Sequence, residues 1–228
     1  MEIRLVSLLE GARTAQGITI VIDVFRAFTA AAVAFDRGAE KIILVAEIAE
    51  ALELRQRGIG ALCMGEVGGK KPAAFDFGNS PYELSQAALA GKTIIQSTRA
   101  GTVGVTAATN AETIYLGSFV TAAATVQAVR AHTPSCVTIV AMGAEGKRRS
   151  DEDEQCALYL RNRLQGRQPD AEAVRALVLV GEEALKYDDP TQPQYHPQDR
   201  LLALQIDRYP FALRVTREAG LLVARRVS

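Results

Sequence analysis

Ile18–Asp23, ITIVID, runs directly into Val24–Arg37, VFRAFTAAAVAFDR. A continuous β-branched run without polar alternation is the pattern of a strand covered on both faces. The small-residue stretch behind it has apolar spacing and predicts a helix over Ala27–Arg37 that ends near Gly38. Lys41–Val45 (KIILV) is strand-like again. The same order recurs: strand Lys92–Gln96 (KTIIQ), the turn Ser97-Thr98-Arg99-Ala100-Gly101-Thr102, a small-residue helix over Thr102–Thr109, and strand Thr113–Gly117 (TIYLG). Both copies place Arg-Ala-x-Thr at the strand end, as Arg26-Ala27-Phe28-Thr29 and Arg99-Ala100-Gly101-Thr102, and the following Glu40 and Glu112 sit at spacings that differ by one residue. This reads as a duplicated strand–turn–helix–strand unit.

Outward from these units the alternation continues. Helices are expected over Glu47–Arg57, Tyr82–Leu89 (Ser80 as cap, Pro81 at the first position), Val120–His132 (capped by Ser118), Ser150–Leu164 and Asp170–Leu179. Strands are expected over Gly60–Met64 and Cys136–Met142. Gly65–Pro81 reads as a long functional loop, Gly143–Arg149 as a Gly- and charge-rich turn, and Asp188–Pro197 as a Pro-rich loop. The tail holds alternating runs, LLALQI, FALRV and LLVARRV, that fit helix or strand. The expected class is α/β, a three-layer α/β/α arrangement with a mixed, largely parallel sheet. It would be a single domain over 1–228, with pseudo-repeated halves at about 18–90 and 91–165 and a C-terminal extension. Ligands in such folds sit beyond the carboxyl ends of strands, which here follow Asp23, Met64, Gln96 and Met142.

The 228 residues are 48% hydrophobic, enough for a sizeable core. Twenty-six Lys and Arg balance 26 Asp and Glu, which argues against non-specific nucleic-acid binding and leaves a small anionic partner open. Three unpaired-looking cysteines (Cys63, Cys136 and Cys156), no signal-peptide pattern and no apolar run near membrane-span length set the expectation of a cytoplasmic protein without a membrane partner. The alternating tail suits a dimer edge, so a homodimer is an expected arrangement.

The two turns carry chemistry. A helix that begins after Arg-Ala offers free backbone N–H groups and the positive end of its dipole. Arg26 and Arg99 add forked donors suited to phosphate, sulfonate or carboxylate, and Thr29 and Thr102 cap or donate. Two such starts facing one crevice would hold a small dianion or trianion. The alternative is that both arginines pair with carboxylates such as Glu40 or Glu112. The chain has no GxxxxGK[ST] loop, so phosphate chemistry would need a metal held by acids. Candidates are Asp23, Glu66, Asp76, Glu145, Glu152 and Asp153, hard oxygen donors that suit Mg²⁺. Asp76 also reads as a turn acid, and Glu152 and Asp153 as helix N-terminal acids. Cys156 reads as a small buried hydrophobe and His132 as a helix C-terminal residue, and nothing in the spacing assigns His196.

The motifs D-V-x-R-A-x-T (Asp23–Thr29), G-E-x-G-G (Gly65–Gly69), F-D-x-G-N-S-P (Phe75–Pro81), [ST]-T-R-x-G-T (Ser97–Thr102), G-S-F (Gly117–Phe119) and G-x-E-G-x-x-x-S-x-E-D (Gly143–Asp153) keep an order that resembles the 2-phosphosulfolactate phosphatase family, over roughly residues 18 to 160. The resemblance implies a Mg²⁺-dependent phosphatase that hydrolyses (2R)-O-phospho-3-sulfolactate to sulfolactate and phosphate. On that reading Asp23, Arg26, Arg99 and Glu145 carry catalysis. Thr29, Asn79, Ser80, Ser97, Thr98, Gly101, Thr102 and Ser118 contact substrate, and Asp23, Glu66, Glu145 and Asp153 hold the metal. Phe25, Phe28, Val67, Ala100 and the basic turn Lys147-Arg148-Arg149 depart from the family pattern and bear on the exact substrate. A metal-dependent phosphatase for a phospholactate- or phosphoglycerate-type ester, or a non-catalytic receptor for a small anion, are the alternatives.

Overall fold

The computed structural model describes all of residues 1–228. In chain order the elements are β1 (Glu2–Ser7), α1 (Leu8–Thr14), β2 (Gly17–Ile22), α2 (Ala27–Asp36), β3 (Lys41–Val45), α3 (Ile48–Gln56), β4 (Leu62–Gly65), α4 (Pro81–Ser85), β5 (Thr93–Ser97) and α5 (Gly101–Ala107). They continue as β6 (Ala111–Gly117), α6 (Ala122–Ala131), β7 (Cys136–Ala141), α7 (Asp151–Leu164), α8 (Ala171–Leu179), α9 (Glu182–Leu185), α10 (Pro197–Ala203), β8 (Ala212–Glu218) and β9 (Leu221–Val227).

All nine strands join one sheet in the order β1-β7-β2-β6-β8-β9-β3-β5-β4. Two blocks are internally parallel, β1-β7-β2-β6 and β3-β5-β4. The β8–β9 hairpin joins them through three antiparallel pairings. Three reversals make the two blocks run in opposite senses. The crossovers β2–α2–β3 and β5–α5–β6 each leave one block and enter the other.

The apolar run of β2 is buried on both faces, as its composition requires. Val21 packs into a core with α1, α2 and α5, while Ile18, Ile20 and Ile22 pack into a second core with α6 and α7. A third, smaller core sits under α3, with Ile43, Val45 and Ile95. Residues Ala27 to Phe35 of α2 are all buried, which explains a helix made almost entirely of alanine, phenylalanine and valine.

Several boundaries differ from the sequence reading. MEIRLVSLLEGART forms an edge strand and a helix, although its alternation is weak and its strand is half exposed. The helix expected over Tyr82–Leu89 ends at Ser85. Ser118 and Ser150 stand at helix starts but make no capping hydrogen bond there; Phe119–Thr121 form a single 3-10 turn ahead of α6. The tail is not a dimer edge: FALRV and LLVARRV become β8 and β9, paired on both sides in the middle of the sheet, and the free edges are β1 and β4. LLALQI supplies the end of α10. The hairpin turns through Ala219 and Gly220, both at positive φ, the geometry of a two-residue turn between twisted strands.

Candidate active site

The carboxyl ends of β2, β4, β5 and β7 meet at one cleft of about 300 Å³. Three acids weave these ends together. Glu66, after β4, accepts from the Gly69 N–H (2.8 Å) and the Arg99 N–H (2.8 Å). Asp23, after β2, accepts from the Ala27 N–H through Oδ1 (2.9 Å) and the Gly101 N–H through Oδ2 (2.8 Å). Asp153, in the first turn of α7, accepts from the Val24 N–H (2.8 Å) and the Gly143 N–H (2.8 Å). Each carboxylate therefore spans two turns, and together they tie four strand ends into one frame.

This corrects the sequence reading of the twin helix starts. Their N–H groups are not offered to a ligand, because Asp23 occupies α2 and α5 at once and Glu66 takes the donor ahead of α5. Thr102 and Thr98 cap each other: the Thr98 N–H donates to Thr102 Oγ1 (2.8 Å) and the Thr102 N–H to Thr98 Oγ1 (3.2 Å). Gly101 is required at its position, since a Cβ there would stand 2.8 Å from Asp23 Oδ2 and 2.9 Å from the Phe28 ring. Thr29 donates to the Val24 carbonyl (2.9 Å), and Ser97 to the Ala46 carbonyl (3.4 Å), so both serve the scaffold.

The two arginines part company. Arg26 is 3% exposed and its guanidinium is committed: it donates to Asp199 Oδ2 (2.8 Å), the Gln194 carbonyl (2.8 Å) and the Gly69 carbonyl (3.1 Å), above the Tyr195 ring. Its partner is neither Glu40 nor Glu112 but Asp199, fully buried in α10, which also accepts from Ser80 Oγ (2.6 Å) and the Tyr82 N–H (2.9 Å). Arg99 lines the cleft with a side chain 39% exposed and one loose carboxylate neighbour, Glu47 at 3.8 Å. Arg99 is thus the cleft's available guanidinium, and Arg26 braces its wall.

Asp23, Glu152 and Asp153 are buried and line the cleft together. Burial raises the Asp23 carboxyl to about 6, and the charge of Glu66 adds to the rise while the Ala27 N–H opposes it. Burial, with the charges of Glu183 and Asp23, raises Glu152 to about 8. Asp153 is pushed well above the usual carboxylate range by burial and by Glu152 and Asp23. Glu145 lies at the rim, more than half exposed, with Lys147 at 3.4 Å. The expected metal set does not form one coordination sphere: no three acid, His or Cys side chains converge closely enough to hold an ion between them. Glu66, Asp23 and Asp153 each accept one N–H on both carboxylate oxygens, which leaves every oxygen a second lone pair, and Glu152, read earlier as a helix-start acid, joins the cleft floor.

Asn79 lines the cleft with its Oδ1 buried and unpartnered, but Ser80 faces Asp199 and caps α4. Ser118 is buried outside the cleft lining. Asp76 is a turn acid, accepting from the Cys63 N–H (2.7 Å) and Arg55 (3.1 Å). Cys156 is buried and its thiol pushed well up by that burial. His132 closes α6 and meets the Tyr115 hydroxyl (2.9 Å), and His196 caps α10 and stacks on Tyr82. Tyr187, Tyr195 and Lys186 line the same wall, Asp199 stands behind it against Arg26, and none of the four carries a motif. Asp199 looks like any acid in a helix first turn, and the aromatics look like loop packing.

Buried carboxylates beside an available arginine, at the carboxyl ends of parallel strands, make a cleft that is polar and charged on all sides. A sequence profile of the 2-phosphosulpholactate phosphatase family matches residues 4–206. A probable 2-phosphosulfolactate phosphatase of Bacillus subtilis is 31% identical over 214 residues, 92% of each chain. One from Carboxydothermus hydrogenoformans is 48% identical over 105 residues, 46% of this chain and 43% of the relative. One from Caldicellulosiruptor saccharolyticus is 37% identical over 144 residues, 61% of this chain and 59% of the relative. The chain belongs to the 2-phosphosulpholactate phosphatase family, a family of phosphoric monoester hydrolases. No helix is long and apolar enough to cross a membrane.

Proposed function

We propose that this chain is a Mg²⁺-dependent phosphatase that hydrolyses the phosphate ester of a small 2-hydroxy acid, (2R)-O-phospho-3-sulfolactate, to 3-sulfolactate and phosphate. The observation that carries this reading is the gathering of Asp23, Glu152 and Asp153, buried and mutually repelling, in the cleft that also holds the available Arg99. Buried carboxylates with raised proton affinity are a donor set that a hard divalent cation would relieve. Mg²⁺ is commonly held by one or two carboxylates, with waters and substrate phosphate oxygens completing its shell, so three converging protein ligands are not needed. Asp23 and Asp153 are the residues that would hold it, with Glu152 close enough to add its charge. Bound there, it would neutralise charge that develops on the phosphoryl oxygens.

The chain's own groups would do the rest. Arg99 would grip phosphoryl oxygens with its free forked donors. Arg26, locked to Asp199, would hold the Gly69 turn and the Tyr195 wall in place, and so orient the substrate without gripping it. The frame of Glu66, Asp23 and Asp153 would keep the acids from drifting when charge changes in the cleft. An acid of the floor would orient or deprotonate the attacking water, or attack phosphorus directly.

Phosphate release from (2R)-O-phospho-3-sulfolactate, phospholactate and 2-phosphoglycerate, with Mg²⁺ and with a chelator, tests the proposal. The expected outcome is Mg²⁺-dependent release that is fastest with the sulfonate. No release from any ester, or the same rate in the chelator, overturns it; a faster rate with another ester reassigns the substrate.

A further inference from the structure

Ten residues carry a buried side-chain nitrogen or oxygen with no hydrogen-bond partner, and only two of them, Asn79 and Tyr187, line the cleft. Several of the others are serines and threonines, whose short hydroxyls rotate toward local backbone at little cost. A tyrosine hydroxyl has no such freedom, because a rigid ring carries it away from its own backbone. Tyr187 is 3% exposed. Its ring is fixed between Phe25 (centroids 5.3 Å apart) and Tyr195 (5.5 Å), and Tyr195 in turn lies under Arg26. Tyr187 thus lines the cleft with its ring fixed, and its hydroxyl is held at one place beneath that wall with no partner within the fold. A buried polar group left unpaired in this way calls for a partner.

The wall around it identifies the partner's chemistry. The charged groups that Tyr187 feels most are Arg26, Asp199 and Glu152. It stands on the braced Arg26 side, whose cation is already committed to Asp199. A phenol hydroxyl there is a neutral donor that reads an anionic oxygen without adding charge. We propose, resting on the phosphatase reading above, that Tyr187 is a specificity-determining residue that donates a hydrogen bond to a carboxylate or sulfonate oxygen of the substrate, at the end remote from the phosphate. Asn79 lines the same cleft, and its Nδ2 donor, not the unpartnered acceptor Oδ1, is the second contact for that end.

Tyr187→Phe keeps the ring and removes only the hydroxyl, so it isolates this role. Calorimetric titration with Mg²⁺ present uses two probes, 3-sulfolactate and inorganic phosphate. The expected result is a loss of 3-sulfolactate affinity of roughly 10- to 100-fold, the range of one hydrogen bond to a charged group. The loss for inorganic phosphate is expected to be much smaller. In catalysis, the ratio of kcat/KM for the acid-bearing ester to that for phenyl phosphate falls in the same direction. The ligand-free variant melts no lower than the wild type, because no native hydrogen bond is removed. Equal affinities for 3-sulfolactate in the two proteins overturn the assignment of Tyr187 alone, as do equal losses for both probes. A lower melting temperature also overturns it, since the hydroxyl would then be satisfied within the fold. A wild type that binds no 3-sulfolactate removes the sulfolactate substrate on which the assignment rests, whereas phosphate release from no ester at all removes the phosphatase reading.

Discussion

Replacing Asp199 by alanine strips one buried carboxylate of three partners at once: Arg26 at 2.8 Å, Ser80 Oγ at 2.6 Å and the Tyr82 N–H at 2.9 Å. The cost is dominated by the guanidinium left behind, which is 3% exposed and cannot recover water. Removing one partner of a buried ion pair costs about 3–5 kcal/mol. The two further hydrogen bonds share the same carboxylate, so they place the cost in the upper part of that range instead of adding in full. At about 4.5 kcal/mol, a chain of this size loses roughly 9–18 °C in melting temperature. A domain stability of about 5–15 kcal/mol leaves the variant folded but weakened. Differential scanning calorimetry and urea unfolding measure this. Asp199→Asn, which keeps an acceptor for Ser80 and Tyr82 but not the charge for Arg26, falls between the two. The double variant Arg26→Met, Asp199→Ala is the decisive arm: once the orphaned cation is gone, it is expected to be no less stable than Asp199→Ala alone. A single variant within about 3 °C of wild type, equivalent to roughly 1 kcal/mol, refutes the reasoning. So does a double variant whose loss equals the sum of the two single losses.

Three further outcomes follow from the cleft. Arg99→Ala leaves stability within about 0.5 kcal/mol, as for an unengaged surface group, yet weakens phosphate binding and kcat/KM roughly 10- to 100-fold; unchanged kinetics would remove Arg99 from the site. Gly101→Ala forces a Cβ against Asp23 and Phe28, costs about 1–3 kcal/mol as overpacking does, and lowers kcat by moving Asp23; a melting curve identical to wild type would contradict the close approach. The raised carboxyls set a pH dependence for the chelated protein. Asp23, from 3.8 to about 6, and Glu152, from 4.5 to about 8, hold protons in the folded state that the unfolded chain has released, so stability falls as pH rises through that window. Melting temperature in chelator is expected to be lower at pH 8 than at pH 5, with added Mg²⁺ giving its larger gain at pH 8; a flat or rising profile in chelator argues against the buried acid floor.

Much of the scaffold was legible because its signals are local. ITIVID had to be covered on both faces, the alanines of α2 had to be enclosed, and Pro81 behind Ser80 had to open a helix. The places where ligands meet such folds were legible too, and Asp23, Glu66, Arg99, Asn79, Glu145 and Asp153 all line the cleft. What the sequence could not separate is a donor offered to a ligand from one already taken. Arg26 and Arg99 stand in matching motifs, yet the first is neutralised by a residue 173 positions away. The same distance problem hid Asp199 and Tyr187, whose local sequence is unremarkable and whose roles come only from where α10 and the turn before it lie against the cleft. The tail was ambiguous because β8 and β9 have to fit both a core face and an inter-block seam, which blurs alternation.

The β8–β9 hairpin has a consequence for how the chain is made. It follows every other strand in sequence, yet it sits between β6 and β3. During synthesis the two parallel blocks are therefore complete before the element that joins them exists. Until then β6 and β3 each present an open interior edge, rich in the unpaired backbone groups that invite other chains. The crossovers β2–α2–β3 and β5–α5–β6 precede the hairpin in sequence and already connect the two blocks covalently at that stage. Nascent chains stalled before residue 212 would thus be the vulnerable population, prone to pairing with one another along edges that the finished protein never shows.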